Sequence, residues 1–317
     1  MLRTTIMATE DTVLLFDAGA GTAQGERNSQ EDRYVVILPD EFPPSQTTDK
    51  FALLATYDGH GSSMVSEHVR QNLAHLLVSR PEFSQGDYET AICRAFEDED
   101  SLLFGLSMAE DIEPVISGTT VALCLVNLTK GLVVVGNVGD SHILLAERDP
   151  LTEAIVWQDR LTKAHKPNTP AERNRIERAG GAVRVISGTA RLGSLNMSRA
   201  LGDLQYKNPI NTLDIDATSK SRRVSTAIPQ RRGDFLSNKP HVRTVKLDKN
   251  SRYALLCSTD GVSDTTDDKI LMEEVVAALT KGQRASDIAK SVTSMAAGMP
   301  GSDNCTCVVA FFDGIQS

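Results

Sequence analysis

The run Phe51-Ala52-Leu53-Leu54-Ala55-Thr56-Tyr57 is apolar almost throughout and stops at Asp58-Gly59-His60-Gly61. Such a run, ended by glycines, reads as a strand buried on both faces. The design recurs. Leu255-Leu256-Cys257-Ser258-Thr259 runs into Asp260-Gly261, and Asp303-Asn304 precedes the apolar stretch 305–312. Carboxylates at the ends of three core strands are hard oxygen donors, the ligands that divalent cations prefer. His60 adds a group that exchanges protons near neutral pH. The pattern predicts one acidic cluster that holds metal.

A chain of 317 residues buries roughly three quarters of its unfolded surface, so it folds without disulfides or structural metal. Its five cysteines, Cys93, Cys124, Cys257, Cys305 and Cys307, are odd in number and lack framework spacing, which favours a reducing compartment. Cys305 and Cys307 alternate onto one face of a strand and read as core. The net charge of −9 argues against non-specific nucleic-acid binding, which needs Lys and Arg to neutralise phosphates. No apolar run approaches the roughly 20 residues that span a bilayer.

Periodicity predicts further strands at 12–18, 34–38, 120–125, 132–138 and 141–146, and helices at 62–79, 88–107 and 170–178. Two more helices follow, patterned by Leu271, Val275 and Ala278 and by Ile288, Val292 and Met295. Gly139-Asp140 reads as a tight hairpin link between two strands, and Glu97-Asp98-Glu99-Asp100 as a solvated helix face. Residues 205–240 read as a long surface excursion, basic at Lys220, Arg222, Arg223, Arg231 and Arg232. The alternation predicts an α+β fold with antiparallel sheets.

Seven segments occur in a telling order: Gln30-Glu31-Asp32-Arg33, Asp58-Gly59-His60-Gly61, Ser117-Gly118-Thr119-Thr120, Gly136-Asn137-Val138-Gly139-Asp140-Ser141, Ser198-Arg199-Ala200-Leu201-Gly202-Asp203, Ser258-Thr259-Asp260-Gly261 and Asp303-Asn304-Cys305-Thr306. Together they resemble the metal-dependent Ser/Thr protein phosphatases of the type 2C (PPM) family. The resemblance implies a β-sandwich of two antiparallel sheets flanked by helical layers, α-β-β-α, forming a single catalytic domain over 12–317 with a flap insertion at about 205–240 and a tail at 1–11. It implies hydrolysis of phosphoserine and phosphothreonine monoesters on proteins, by a metal-activated water at a centre of two Mg²⁺ or Mn²⁺ ions, with a weaker third. Carried over by position, Asp58, the Gly59 carbonyl and Glu31 would hold one ion, with Asp58 bridging to a second held by Asp260 and Asp303. Asp140 and Asp264 would line the third site. Arg27 would bind phosphate and His60 would act as general acid. Asp32, Thr120 and Asn304 would support the ligands. His68, His75, His142 and His165 match no motif and are expected to be structural or exposed.

The residue types suit that chemistry. Phosphomonoester hydrolysis is among the slowest uncatalysed reactions. Paired metals clamp phosphoryl oxygens and acidify water, a general acid contributes typically 10²–10⁴-fold, and a guanidinium forks onto phosphate. The sequence departs from the family at Ser62, where a glycine is usual, at Pro240-His241, where Pro-Glu is usual, and in the longer, more basic flap. The alternative is a weak pseudophosphatase acting as a binding module; a nuclease is disfavoured by the net charge. The expected partners are phosphoproteins, with no nucleic acid and no membrane span, and the expected state is a monomer. The expected compartment is cytoplasmic or nuclear, with a mitochondrial alternative.

Overall fold

The computed structural model describes residues 12–109, 111–211 and 233–314. Two five-stranded antiparallel sheets face each other. In the first, the strand order is β1 (Val13–Ala23), β15 (Cys305–Gly314), β14 (Arg252–Ser258), β8 (His142–Arg148) and β9 (Ile155–Arg160). In the second it is β13 (His241–Lys246), β7 (Leu132–Val138), β6 (Val121–Asn127), β3 (Phe51–Tyr57) and β2 (Arg33–Ile37). A small sheet of β12 (Leu201–Gly202), β5 (Gly118–Thr119) and β4 (Gly59–His60) sits at one end, and β10 (Val183–Ile186) pairs with β11 (Thr189–Leu192). The helices are α1 (Met64–Ser79), α2 (Pro81–Gln85), α3 (Tyr88–Met108), α4 (Glu113–Ile116), α5 (Pro170–Arg178), α6 (Asp260–Ser263), α7 (Asp268–Thr280) and α8 (Ala285–Ala297).

The core has three layers, which explains the continuous apolar runs. On β3, Phe51, Leu53, Ala55 and Tyr57 pack under α1 and α3, beside Val69, Leu73, Ile92 and Phe96. Ala52 and Leu54 point the other way, into the space between the sheets, where they share a cluster with Leu255, Cys257, Val308 and Phe312. On β15 the alternate residues Cys305, Cys307, Val309 and Phe311 lie under α7 and α8 with Met272, Val275 and Ile288. With helices outside both sheets, each central strand loses both faces to the interior, so period-two alternation is erased from its composition. The α-β-β-α expectation is met, and Cys305 and Cys307 are core residues.

Three local expectations are corrected. Gly139-Asp140 is no hairpin: β7 lies in the second sheet and β8 in the first, so the dipeptide carries the chain across the sandwich. The acidic run on α3 is only half solvated, because Glu99 and Asp100 are buried. The excursion is shorter than 205–240. Tyr206, Phe235 and Leu236 are fully buried with Ile176, Leu192 and Met197 in a fourth, smaller cluster. The expected tail at 1–11 and the basic residues Lys220, Arg222, Arg223, Arg231 and Arg232 lie outside the described residues. The strands β9, β10 and β11 add to the expected set; at four to six residues they are too short for periodicity to give a clear signal.

Candidate active site

Strand register brings the motifs together. In the second sheet Tyr57 pairs with Arg33, Thr56 with Ala122, and Val121 with Val138. The end of β3, the start of β2 and the end of β7 therefore lie together, and so do Asp58, Glu31-Asp32 and Asp140 beyond them. In the first sheet Ser258 pairs with both Cys307 and His142, and Ala23 pairs with Cys305. The end of β14, the starts of β15 and β8 and the end of β1 meet, bringing Asp260, Asp303-Asn304, Asp140 and the turn containing Arg27. Asp140 belongs to both sets because it lies on the crossing between the sheets. Antiparallel pairing within each sheet, joined at the crossing through Asp140, thus gathers carboxylates more than 200 residues apart.

The loops are then pinned. Asn304 accepts the Glu31 N–H at 2.8 Å and donates its amide to the carbonyls of Gln24 and Ser29 at 2.9 and 2.8 Å. Thr120 donates its N–H to the Asp58 carbonyl at 2.9 Å, accepts the Asp58 N–H at 3.2 Å, and meets Ser141 at 2.6 Å. Thr259 donates its hydroxyl to Asp32 at 2.9 Å. Arg27, well exposed, pairs with Asp303 at 2.5 Å. At Gly59 a Cβ would lie 2.3 Å from the Glu31 carbonyl oxygen, so only glycine lets the two expected ligand loops touch.

Electrostatics identify the cluster as strained by like charge. Burial pushes the Asp58 carboxyl well above the usual range, and the charges of Asp260, Asp32, Asp140 and Asp303 push it further. Asp260 is raised to about 7 by burial, then by Asp140 and Asp264, with Lys166 opposing. Asp32 is also raised to about 7 by burial, against the hydrogen bonds of Thr306 and Thr259 and with the charge of Asp303 adding to the rise. Asp264 stands at the end of α6, its N–H bonded to the Asp260 carbonyl at 2.8 Å. Asp32 Oδ1 and Asp140 Oδ1 are buried without hydrogen-bond partners.

A divalent cation answers both facts: it offsets the mutual repulsion and takes up orphaned carboxylate oxygens. The donor set, all oxygen, suits Mg²⁺ or Mn²⁺ rather than a softer metal. Among the described residues no three of these side chains are already drawn to metal-binding spacing. The fit therefore rests on donor chemistry and on the repulsion.

Two residues at this end were not singled out from the sequence. Lys166 pairs with Asp140; its ammonium pKa is pulled down by burial but pushed up more by Asp140, Asp260 and Asp264. Asp203 faces His60, whose Nε2 is 2.5 Å from Asp203 Oδ2. Burial works against protonating His60, but the Asp203 charge and hydrogen bond outweigh it and raise its pKa. Asp203 closes the fifth motif and could have been marked there. Nothing in the local sequence marks Lys166.

The protein phosphatase 2C profile matches residues 16–305. The chain belongs to the protein phosphatase 2C family, whose members are metal-dependent serine/threonine protein phosphatases. "Probable protein phosphatase 2C 5" of Paramecium tetraurelia is 29% identical, covering 94% of this chain and 93% of that protein. "Probable protein phosphatase 2C T23F11.1" of Caenorhabditis elegans is 32% identical over 78% of this chain and 58% of its own length. The solved structure of serine-threonine phosphatase 2C from Toxoplasma gondii has the same fold, with a TM-score of 0.74 at 22% identity over 96% of this chain and 100% of that one.

Proposed function

We propose that this chain hydrolyses phosphoserine and phosphothreonine monoesters on proteins, as a monomer, with two Mg²⁺ or Mn²⁺ ions and a weaker third. The observation that carries the proposal is the convergence, by strand register, of Asp58, Asp260 and Asp303 beside Arg27 and His60. Asp58, the Gly59 carbonyl and Glu31 would hold one ion, Asp58, Asp260 and Asp303 the second, and Asp140 with Asp264 the third. Bound there, the ions would supply positive charge for the phosphoryl oxygens and a water acidic enough to serve as nucleophile.

The protein's own groups do the rest. Arg27 is exposed at the rim and its planar donors fit phosphate oxygens. Its partner Asp303 keeps it aimed into the cluster. His60, protonated through its contact with Asp203, gives a proton to the departing serine or threonine oxygen, an alkoxide that otherwise leaves poorly. Asp32, Thr120 and Asn304 hold the ligand loops in place by the hydrogen bonds above.

The test is release of phosphate from a phosphothreonine peptide. Turnover is expected only with added Mn²⁺ or Mg²⁺, and is abolished by chelator and by Asp58→Asn. A folded protein with no divalent-dependent turnover on any phosphopeptide would leave a binding module instead.

A further inference from the structure

The chain carries a net charge of −9, but one stretch runs the other way. Residues 163–211 and 233–243, which include α5, β10, β11 and the start of β13, hold eleven Lys and Arg against four Asp and Glu. Some of those cations are already paired. Lys166 holds Asp140, and Lys207 holds Asp100 at 2.6 Å in a buried ion pair. Arg175 and Arg199 share Glu172, and Arg243 meets Asp159 at 2.8 Å. Lys163 and Lys239 are exposed, and among the described residues neither has an ion-pair partner.

These two lysines meet at the start of β13. His241 pairs with Asn137, and Asn137 donates its amide to the Lys163 carbonyl at 2.9 Å. Arg199 donates to the Lys239 carbonyl at 2.7 Å. Burial lowers the His241 pKa, and the charges of Lys163, Arg199 and Arg243 lower it further, so a neutral ring sits among positive charges. His241 is also the residue that stands where Glu is usual: the acid that would balance these cations is missing. The patch adjoins the acid cluster. The His165 N–H bonds the Gly139 carbonyl at 2.9 Å, next to Asp140. Lys163 precedes Lys166 by three residues, at most about 10 Å of extended chain. A phosphopeptide with its phosphate at Arg27 and the acid cluster lays its flanking residues over this rim, and a few of them, at about 3.3 Å each, reach the patch.

We propose that Lys163, Lys239, Arg199 and Arg243, grouped around His241, form a docking surface for acidic residues of the substrate, so that this chain selects phosphosites with Asp or Glu a few residues away. The proposal rests on the phosphatase reading above and names the substrate class within it. An acidic peptide is the occupant rather than a nucleic acid or an anionic membrane. Residues joined to the phosphate are carried to this rim by catalysis itself, whereas a chain of net charge −9 repels a long polyanion. Charges at an exposed rim steer the encounter and tighten binding, and they leave the bond-breaking step alone. The effect therefore lies in KM. One exposed pair shifts an equilibrium by about 1.4- to fivefold, so two or three together give roughly tenfold.

The test compares three substrates of the full chain with Mn²⁺: a phosphothreonine peptide with neutral flanks, one of equal length with several Glu on each side of the phosphate, and p-nitrophenyl phosphate. The acidic peptide is expected to have a kcat/KM about tenfold above the neutral one, carried by KM. The difference should fade as salt rises from about 0.05 to 0.5 M, as exposed charges are screened. The double variant Lys163→Glu/Lys239→Glu should abolish the preference, and Lys163→Gln/Lys239→Gln should weaken it. His241→Glu, which restores an acid to the patch, should weaken it as well. All three variants should leave p-nitrophenyl phosphate turnover and the melting temperature unchanged. Equal kcat/KM for the two peptides in the wild type, or a preference that survives Lys163→Glu/Lys239→Glu, overturns the proposal and leaves the phosphatase reading intact. Absence of Mn²⁺-dependent turnover on all three substrates overturns that reading, and the proposal with it. An unphosphorylated Glu-rich peptide should compete with the acidic phosphopeptide. An oligonucleotide of the same charge, or vesicles of anionic lipid, competing more strongly would assign the patch to another partner and overturn the proposal.

Discussion

Buried carboxylates in two neighbouring regions behave in opposite ways. In the small module of α5, β10, β11 and residues 195–207, Glu172 accepts Arg199, Arg175 at 3.0 Å and Ser198 at 2.8 Å. Burial alone would raise its pKa, yet the Arg199 hydrogen bond and the two guanidinium charges bring it down to about 2. At the end of the sandwich Asp58 is buried among other acids and its pKa moves up. One region meets its buried carboxylate with guanidinium groups from the chain. The other gathers more buried acids than Lys166 and Arg27 offset and leaves the balance to something bound. Burial of charge is common to both, so burial does not mark a functional site; the missing counter-charge does.

The sharpest way to break this contrast is to remove a charge on each side and read the sign of the stability change. Lys207→Met strips Asp100 of its cation. It is expected to cost about 3–5 kcal/mol, since it leaves a buried charge unpaired, seen as a large drop in melting temperature. His165 gives the next effect. Burial, then the Arg199 charge, hold its pKa down to about 3. The folded state therefore keeps His165 neutral while the unfolded chain protonates near 6.5, and stability falls as pH drops below about 6.5. His165→Asn should recover about 1–2 kcal/mol of that loss at pH 5 and nothing at pH 8, measured as the difference between melting curves at the two pH values.

Asp58→Asn should act with the reverse sign. In chelator it is expected to raise stability by about 1 kcal/mol, because one member of a repelling group is gone, while the stabilisation the wild type gains from Mn²⁺ disappears. A destabilised variant in chelator would mean that the acids are not in conflict. Arg94→Ala sets the floor. Its partner Glu97 is at 2.7 Å on the exposed side of α3, and the melting temperature should not move.

How much of this could be read beforehand depended on the range of the interaction. The strands of Asp58, Asp260 and Asp303 were legible because their burial on both faces is written into consecutive residues. Their convergence was not, since it depends on pairings such as Ser258 with Cys307 and Thr56 with Ala122; the order of motifs supplied it by resemblance. The acidic run on α3 was misread although a signal existed. Ile92, Phe96, Glu99 and Leu103 follow helical spacing on the core face, so Glu99 falls on the apolar stripe. Its partner, His68 at 2.6 Å, lies on another helix and could not be inferred. Lys166 and Lys207 were invisible for the same reason: a lysine announces nothing until its acid is placed beside it.

The stem at Tyr206 and Phe235 has its own consequence. The Phe235 N–H bonds the Tyr206 carbonyl at 2.9 Å, and the Asn211 amide bonds the Gly233 carbonyl at 2.9 Å. The chain on the two sides of residues 212–232 is thus stitched together, and most of the entropy of bringing those two ends to one place is already spent there. A change in the number of residues between these two seams therefore carries little thermodynamic penalty for the catalytic end.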